Sequence, residues 1–187
     1  MEAKKIIITG GATRIGSAIA KSLVSFETKI GIHFNKSKSS ALKLKKELEE
    51  LGAEAYLFKA DLNNIKQTET LIKKAFKTLK GLDCLINNAS IFENDNLENF
   101  SEKSFTKHMN INLKAPAIIT QNFKRLIKNK EGCIINIIDQ RVEKLTPFFF
   151  SYTLSKSSLA TFTKTSAMKL APCLLYTSPS PRDDCPS

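Results

Sequence analysis

Five short apolar runs, each followed by a stretch of helical periodicity, constrain this chain more than any other feature of it. KKIIIT (4–9) leads into Ile15, Ala18, Ile19, Leu23 and Phe26 at helical spacing, and TKIGIHFN (28–35) leads into Ala41, Leu44, Leu48 and Leu51, with Gly52 as the stop. AYLFKADL (55–62) leads into Ile65, Thr68, Ile72, Ala75, Phe76 and Leu79. LDCLINNA (82–89) precedes a long helical stretch from Glu102 to Lys128 that Pro116 interrupts, and CIINIID (133–139) precedes a helix from Ser151 to Leu170. Strands that are apolar on both faces belong in a parallel sheet covered by helices on either side. Right-handed crossovers then predict a doubly wound α/β sheet, whose ligands bind beyond the carboxyl ends of its strands.

The alternation stops at Cys173. CLLYTSPSPRDDCPS sets Pro179, Pro181 and Pro186 where a sixth strand is due, which excludes a central strand there, and LLYTSPSPRD resembles translated sequencing-adapter DNA. The expected division is a domain over 1–172, its sheet incomplete at the C-terminal edge, and a non-native or disordered tail over 173–187. Within that frame, 42% hydrophobic and 25% charged residues suit one globular core. A net charge of +11 would also suit nucleic acid or an anionic membrane. The lysines, however, are scattered among glutamates without an arginine-rich run, so neither partner is expected and the charge instead favours phosphorylated small molecules. Cys84 and Cys133 sit in strand-like runs and read as buried, reduced thiols; with Cys173 and Cys185 in the tail and no Cys-x-x-Cys pair, no metal site is expected. Ile6, Ile7 and Ile8 are too few for a signal peptide or a membrane span, and a cytoplasmic location is expected.

TGGATRIG (9–16) joins the first strand to the first helix. Gly10 can adopt angles closed to other residues, Gly16 lets the helix approach the sheet, and the helix N-terminus offers N–H groups to a pyrophosphate. Arg14 stands where a further glycine is usual, and its planar fork of donors suits phosphates or an oxo-bearing ring edge. The second strand ends IHFNKS, with no acid to hold two ribose hydroxyls; Asn35, Lys36 and Ser37 favour the 2′-phosphate of NADPH over NADH. In SYTLSK, Tyr152 and Lys156 lie four apart and share a helix face. A nearby ammonium is expected to lower the tyrosine pKa from about 10, readying it as a proton donor.

NNAS (87–90) after the fourth strand, Asn112 in the long helix, Asp139 ending the fifth strand, and Tyr152 with Lys156, taken with the glycine loop, resemble the short-chain dehydrogenase/reductase family. The resemblance runs from about Lys4 to Pro172 and implies a Rossmann-type fold. Arg14 for a loop glycine, Ser90 for the glycine of Asn-Asn-Ala-Gly, and Asp139 for the usual active-site serine resemble the pteridine reductases, including the dihydromonapterin/dihydrofolate reductase branch. The resemblance implies Asp139, Tyr152, Lys156 and Asn112 as catalytic, with Asp139 relaying a proton and Asn112 holding a water or a helix kink near Lys156. It implies a cofactor site of Gly10, Arg14, Ile15, Gly16, Asn35, Lys36, Ser37, Asp61, Leu62, Asn88, Ala89, Ser90, Tyr152 and Lys156. Substrate would meet Arg14, Ser90, Asp139, Tyr152 and Phe92, the last stacking on a pterin. The implied activity is NADPH-dependent reduction of a pterin or dihydrofolate-type C=N bond by a homo-oligomer, a tetramer when full length. The alternatives are a short-chain reductase of another carbonyl compound, such as a 3-oxoacyl thioester, and an NADP-binding protein without turnover.

Overall fold

The computed structural model describes residues 4–25, 27–128 and 130–170, together with a backbone strand at 174–177. Its elements are β1 (Lys5–Thr9), α1 (Arg14–Ser22), β2 (Lys29–Phe34), α2 (Lys38–Glu50), β3 (Glu54–Lys59), α3 (Ile65–Leu79) and β4 (Cys84–Asn87). They continue as α4 (Glu102–Met109), α5 (Ala115–Ile127), β5 (Gly132–Asn136), α6 (Phe150–Leu170) and β6 (Leu174–Thr177). Every strand pairing is parallel, and the order across the sheet is β3-β2-β1-β4-β5-β6. The order reverses direction at β1, so the loops after β1 and β4 diverge and open a crevice at the carboxyl edge.

Alternation along the strands divides the core. Ile7, Leu85 and Ile134 face α3 and α5, meeting Ile72, Leu79, Ile119 and Phe123. Ile6, Ile8, Ile30, Ile32 and Ile86 face α1 and α2, meeting Ala20, Ala41, Leu44 and Leu48. Each large side chain buried this way contributes about 1.5–3 kcal/mol, so the two layers fix the strands whose ends carry the site.

The structure departs from the sequence reading in three places. In α1 the buried residues are Gly16 and Ala20, whereas Ile15 and Ala18 are exposed. The helix is turned by one position because Gly16 must press on the β1 loop: a Cβ there would stand 2.3 Å from Gly10 O and 2.7 Å from Asn88 Nδ2. The long helix breaks before Pro116, at a π-helical turn over Asn110–Lys114, and Pro116 lies in the first turn of α5, where a missing N–H costs little. A sixth strand does form, at Leu174–Thr177, along the free edge of β5. It ends before Pro179, and an edge strand needs only one row of hydrogen bonds. Phe26, Pro172, Cys173, Cys185 and the three tail prolines lie outside the described residues. Among the described residues, no helix is long and apolar enough to cross a membrane.

Candidate active site

A cleft of about 430 Å³ follows the carboxyl edge from Asn35 and Asp61, past Gly10 and Gly16, to Asp139 and Tyr152. Its floor is the join between β1 and β4. Thr9 Oγ1 accepts the backbone N–H groups of Asn88 and Ala89 at 3.0 Å, and Asn88 Nδ2 donates to the carbonyls of Thr9 and Gly10. Gly10 has φ +61°, and a Cβ there would stand 2.9 Å from Ala89 Cα, so the two loops meet backbone to backbone.

Arg14 opens α1 with φ +51°, in the left-handed region that a glycine would occupy without strain. Thr13 precedes it as N-cap with no side-chain hydrogen bond, which leaves the first N–H groups of α1 facing the cleft uncapped by protein. Ile15 beside them is 58% exposed. At the other end of the cleft, Asn35 lines it and is exposed, while Lys36 and Ser37, also exposed, follow it without lining the cleft, and Ser37, the N-cap of α2, makes no side-chain cap. Asp61 accepts from Asn35 Nδ2 and from the N–H of Asn63, so it caps its own turn while facing the cleft, and Leu62 behind it is buried.

At the reaction end, Tyr152 OH donates to Asp139 Oδ2 at 2.8 Å, while Asp139 Oδ1 accepts the N–H of Arg141. Burial first, then the hydrogen bond and negative charge of Asp139, push the Tyr152 phenol above its ordinary pKa; Ser90 and Arg141 oppose this. This corrects the expectation of a lowered tyrosine. Lys156 Nζ lies 5.9 Å from the ring centroid and donates to Ile137 O at 2.9 Å, farther from the hydroxyl than the carboxylate is. Burial in turn lowers Lys156 to about 8, against the pull of Asp139.

Asn112 is fully buried, inside the π-helical turn that breaks the long helix. Its Oδ1 accepts from Ile91 N and Ser90 Oγ, and its Nδ2 donates to Ile91 O and Ser155 Oγ. Both ends of the amide are thus committed to protein, tying the Ser90–Ile91 loop to α6 at Ser155, the residue before Lys156. Phe92 stands over the pair, edge-on to Tyr152 at 4.7 Å, and stacks on Phe149 at 4.2 Å with the guanidinium of Arg141 over the Phe149 ring at 4.3 Å. The cysteines also differ from expectation: Cys84 and Cys133 are free but only partly buried.

Three positioning residues escaped the sequence reading. His33, 2% exposed, accepts Gly10 N–H on Nδ1 at 3.0 Å, and its Nε2 donates to Ala60 O at 3.1 Å; burial lowers its pKa to about 4 and keeps it neutral. A lone polar residue inside the apolar run of β2 was the available signal. Asp95 accepts Ser151 N–H on Oδ1 and Phe150 N–H on its backbone carbonyl, capping α6 from a distant loop two residues before Tyr152. His108, fully buried in α4, accepts Glu93 N–H and packs edge-on to the Tyr152 ring. Neither Asp95 nor His108 carries a local sequence signal, because each acts across 15 residues or more.

Residues 4–174 match the short chain dehydrogenase family. Among solved structures, the chain is similar to FolM alternative dihydrofolate reductase 1 from Brucella suis in complex with NADP, at 36% identity and TM-score 0.88, covering 97% of this chain and 76% of that one. The corresponding protein from Brucella canis, also complexed with NADP, is 35% identical with TM-score 0.86, covering 92% and 70%. Among curated proteins, a 3-oxoacyl-[acyl-carrier-protein] reductase of Synechocystis sp. is 28% identical, over 91% of this chain and 70% of its own length. The chain spans between 63% and 70% of the length of the curated relatives it matches.

Proposed function

The chain belongs to the short-chain dehydrogenase family and is an NADPH-dependent short-chain reductase, and from that premise we propose that it reduces a C=N bond of a dihydropterin or dihydrofolate. The observation that carries the substrate is the Tyr152–Asp139 hydrogen bond beneath Phe92, since a carboxylate here suits an imine nitrogen that must gain a proton. The likeness to the two Brucella dihydrofolate reductases supports it.

The donor set of the cleft fits NADPH. The uncapped start of α1, with Gly10, Arg14, Ile15 and Gly16, would hold the pyrophosphate. Asn35, Lys36 and Ser37 would hold the 2′-phosphate, Asp61 and Leu62 the adenine, and Asn88, Ala89, Ser90, Tyr152 and Lys156 the nicotinamide ribose. When bound, the cofactor supplies a hydride. The protein supplies the proton: Tyr152, kept as a phenol through neutral pH, donates at its hydroxyl, and Asp139 fixes that hydroxyl and relays a replacement proton from water. Proton donation placed in this way contributes about 10²–10⁴-fold. Lys156 keeps a positive charge beside the pair below about pH 8. Phe92 offers the face not stacked on Phe149 to a planar substrate, Arg14 offers donors and Ser90 an acceptor oxygen to its edge, and Asn112 acts as a positioning residue for the Ser90 loop. The active assembly is a cytoplasmic homotetramer, on the family resemblance alone.

The test is NADPH oxidation, followed by absorbance, with dihydrobiopterin, dihydromonapterin, dihydrofolate and a 3-oxoacyl thioester offered separately. Turnover of a pterin or folate that is lost in Tyr152→Phe supports the reading. Turnover of the thioester alone selects the activity named for the Synechocystis relative, and NADPH binding without turnover of any substrate selects a binding role.

A further inference from the structure

Cys84 and Cys133 are direct register partners on the adjacent parallel strands β4 and β5. Cys84 packs with Ile135 and Ile137 against the α1–α2 layer of the core, and Cys133 precedes Ile135 by two residues, so strand alternation puts both thiols on one face. Both are partly exposed. They lie at the amino ends of their strands, away from the carboxyl edge where Asp139 follows β5. Nothing in the reductase chemistry uses them.

Neighbouring strands stand about 4.8 Å apart, inside the Cα range a disulfide spans. The two thiols also act on each other's ionisation. Their interaction holds the Cys133 thiol below its ordinary pKa and, with burial, pushes Cys84 up. Cys133 is therefore the sulfur that ionises more readily, with a protonated thiol beside it. That is the division of labour between an attacking and a resolving cysteine.

We infer that Cys84 and Cys133 form a redox-sensitive dithiol, oxidised by hydroperoxides to a reversible disulfide across β4 and β5. Cys133 sulfur attacks the peroxide: an S–O bond forms, the O–O bond breaks, and the departing oxygen takes up a proton as water or an alcohol. Cys133 is then a sulfenic acid, oxidised by two electrons while the peroxide is reduced. Cys84 sulfur attacks Cys133 sulfur, the S–S bond forms, and the hydroxide that leaves takes the Cys84 proton as water. A disulfide draws its Cβ atoms to about 3.8 Å, closer than the strands stand, so thiol reductants reopen it readily.

The experiment treats the full chain carrying Cys173→Ser and Cys185→Ser with hydrogen peroxide, quenches with a maleimide, and maps peptides by mass. The expected result is a Cys84–Cys133 linked peptide that dithiothreitol removes. Cys84→Ser should halt at a sulfenic acid on Cys133 that dimedone traps. Cys133→Ser should slow oxidation by about tenfold or more at pH 7, because the Cys84 thiol left behind is raised by burial and ionises less readily than an ordinary cysteine. Both thiols remaining maleimide-reactive in the oxidised, folded protein would overturn the inference. So would a sulfenic acid trapped on Cys84, or disulfides only between chains; the linked-peptide readout needs no substitution in β4 or β5.

Discussion

Protonation of His33 offers a perturbation whose size follows from the geometry. The ring holds the glycine loop only while Nδ1 keeps its lone pair for Gly10 N–H, because Nε2 is already the donor to Ala60 O. Its pKa falls from 6.5 to about 4 on folding, so the folded state binds the proton less tightly than the unfolded chain. Stability from this group is fully present above pH 6.5 and is lost as pH falls through about 4. Each pKa unit is worth about 1.4 kcal/mol, so acidification from pH 7 to pH 5 should remove about 2 kcal/mol through His33 alone. For a domain of this size that is a Tm decrease of about 4–8 °C. In His33→Asn, a side-chain oxygen can still accept Gly10 N–H but nothing at this position titrates. The assay is thermal unfolding of both proteins across pH 5–7, with NADPH affinity measured in parallel. The wild type should lose about 2 kcal/mol more than the variant over this interval, while the NADPH affinity of the folded protein, whose His33 stays neutral until the pH nears 4, should fall only below pH 5. Parallel stability curves for the two proteins would refute the reasoning, because carboxylates titrate alike in both.

Three further outcomes are expected. Arg14→Gly relieves the left-handed backbone but adds freedom to the unfolded chain, so stability should change by less than about 1 kcal/mol while Kd for NADPH rises, as read by fluorescence titration. Tyr152→Phe should lower kcat about 10²–10⁴-fold with NADPH binding retained, and Asp139→Ser should lower kcat while bringing the tyrosine pKa down, seen as a shift in the pH–rate profile. The kcat of the wild type should fall above about pH 8 as Lys156 loses its proton, since the buried group is charged only below that value, and a flat profile up to pH 9.5 would count against that role.

Much of the fold was legible in the sequence because it rests on local patterns. Five apolar runs alternating with helical periodicity dictate a parallel sheet, and glycine at positions 10 and 16 dictates where backbone meets backbone. Many residues lining the candidate cleft were legible for a related reason, because in a doubly wound sheet the residues ending the strands converge at one edge; Lys36, Ser37, Asn112 and Lys156 do not line it. What the sequence could not supply is the state of those residues. Tyr152 and Lys156 share a helix face as their spacing requires, yet the tyrosine pKa rises, because the fold buries the phenol and brings Asp139, just past β5, within 2.8 Å of the hydroxyl. His33, Asp95 and Asn112 hold the glycine loop, the start of α6 and the Ser90 loop through bonds that join distant segments. The turn of α1 that buries Gly16 instead of Ile15, and the pairing of Cys84 with Cys133, likewise exist only once the strands are in register. Periodicity and glycine placement are properties of neighbouring residues and survive in one dimension. Burial, charge balance and long-range hydrogen bonds depend on which segments meet, and only the folded chain decides that.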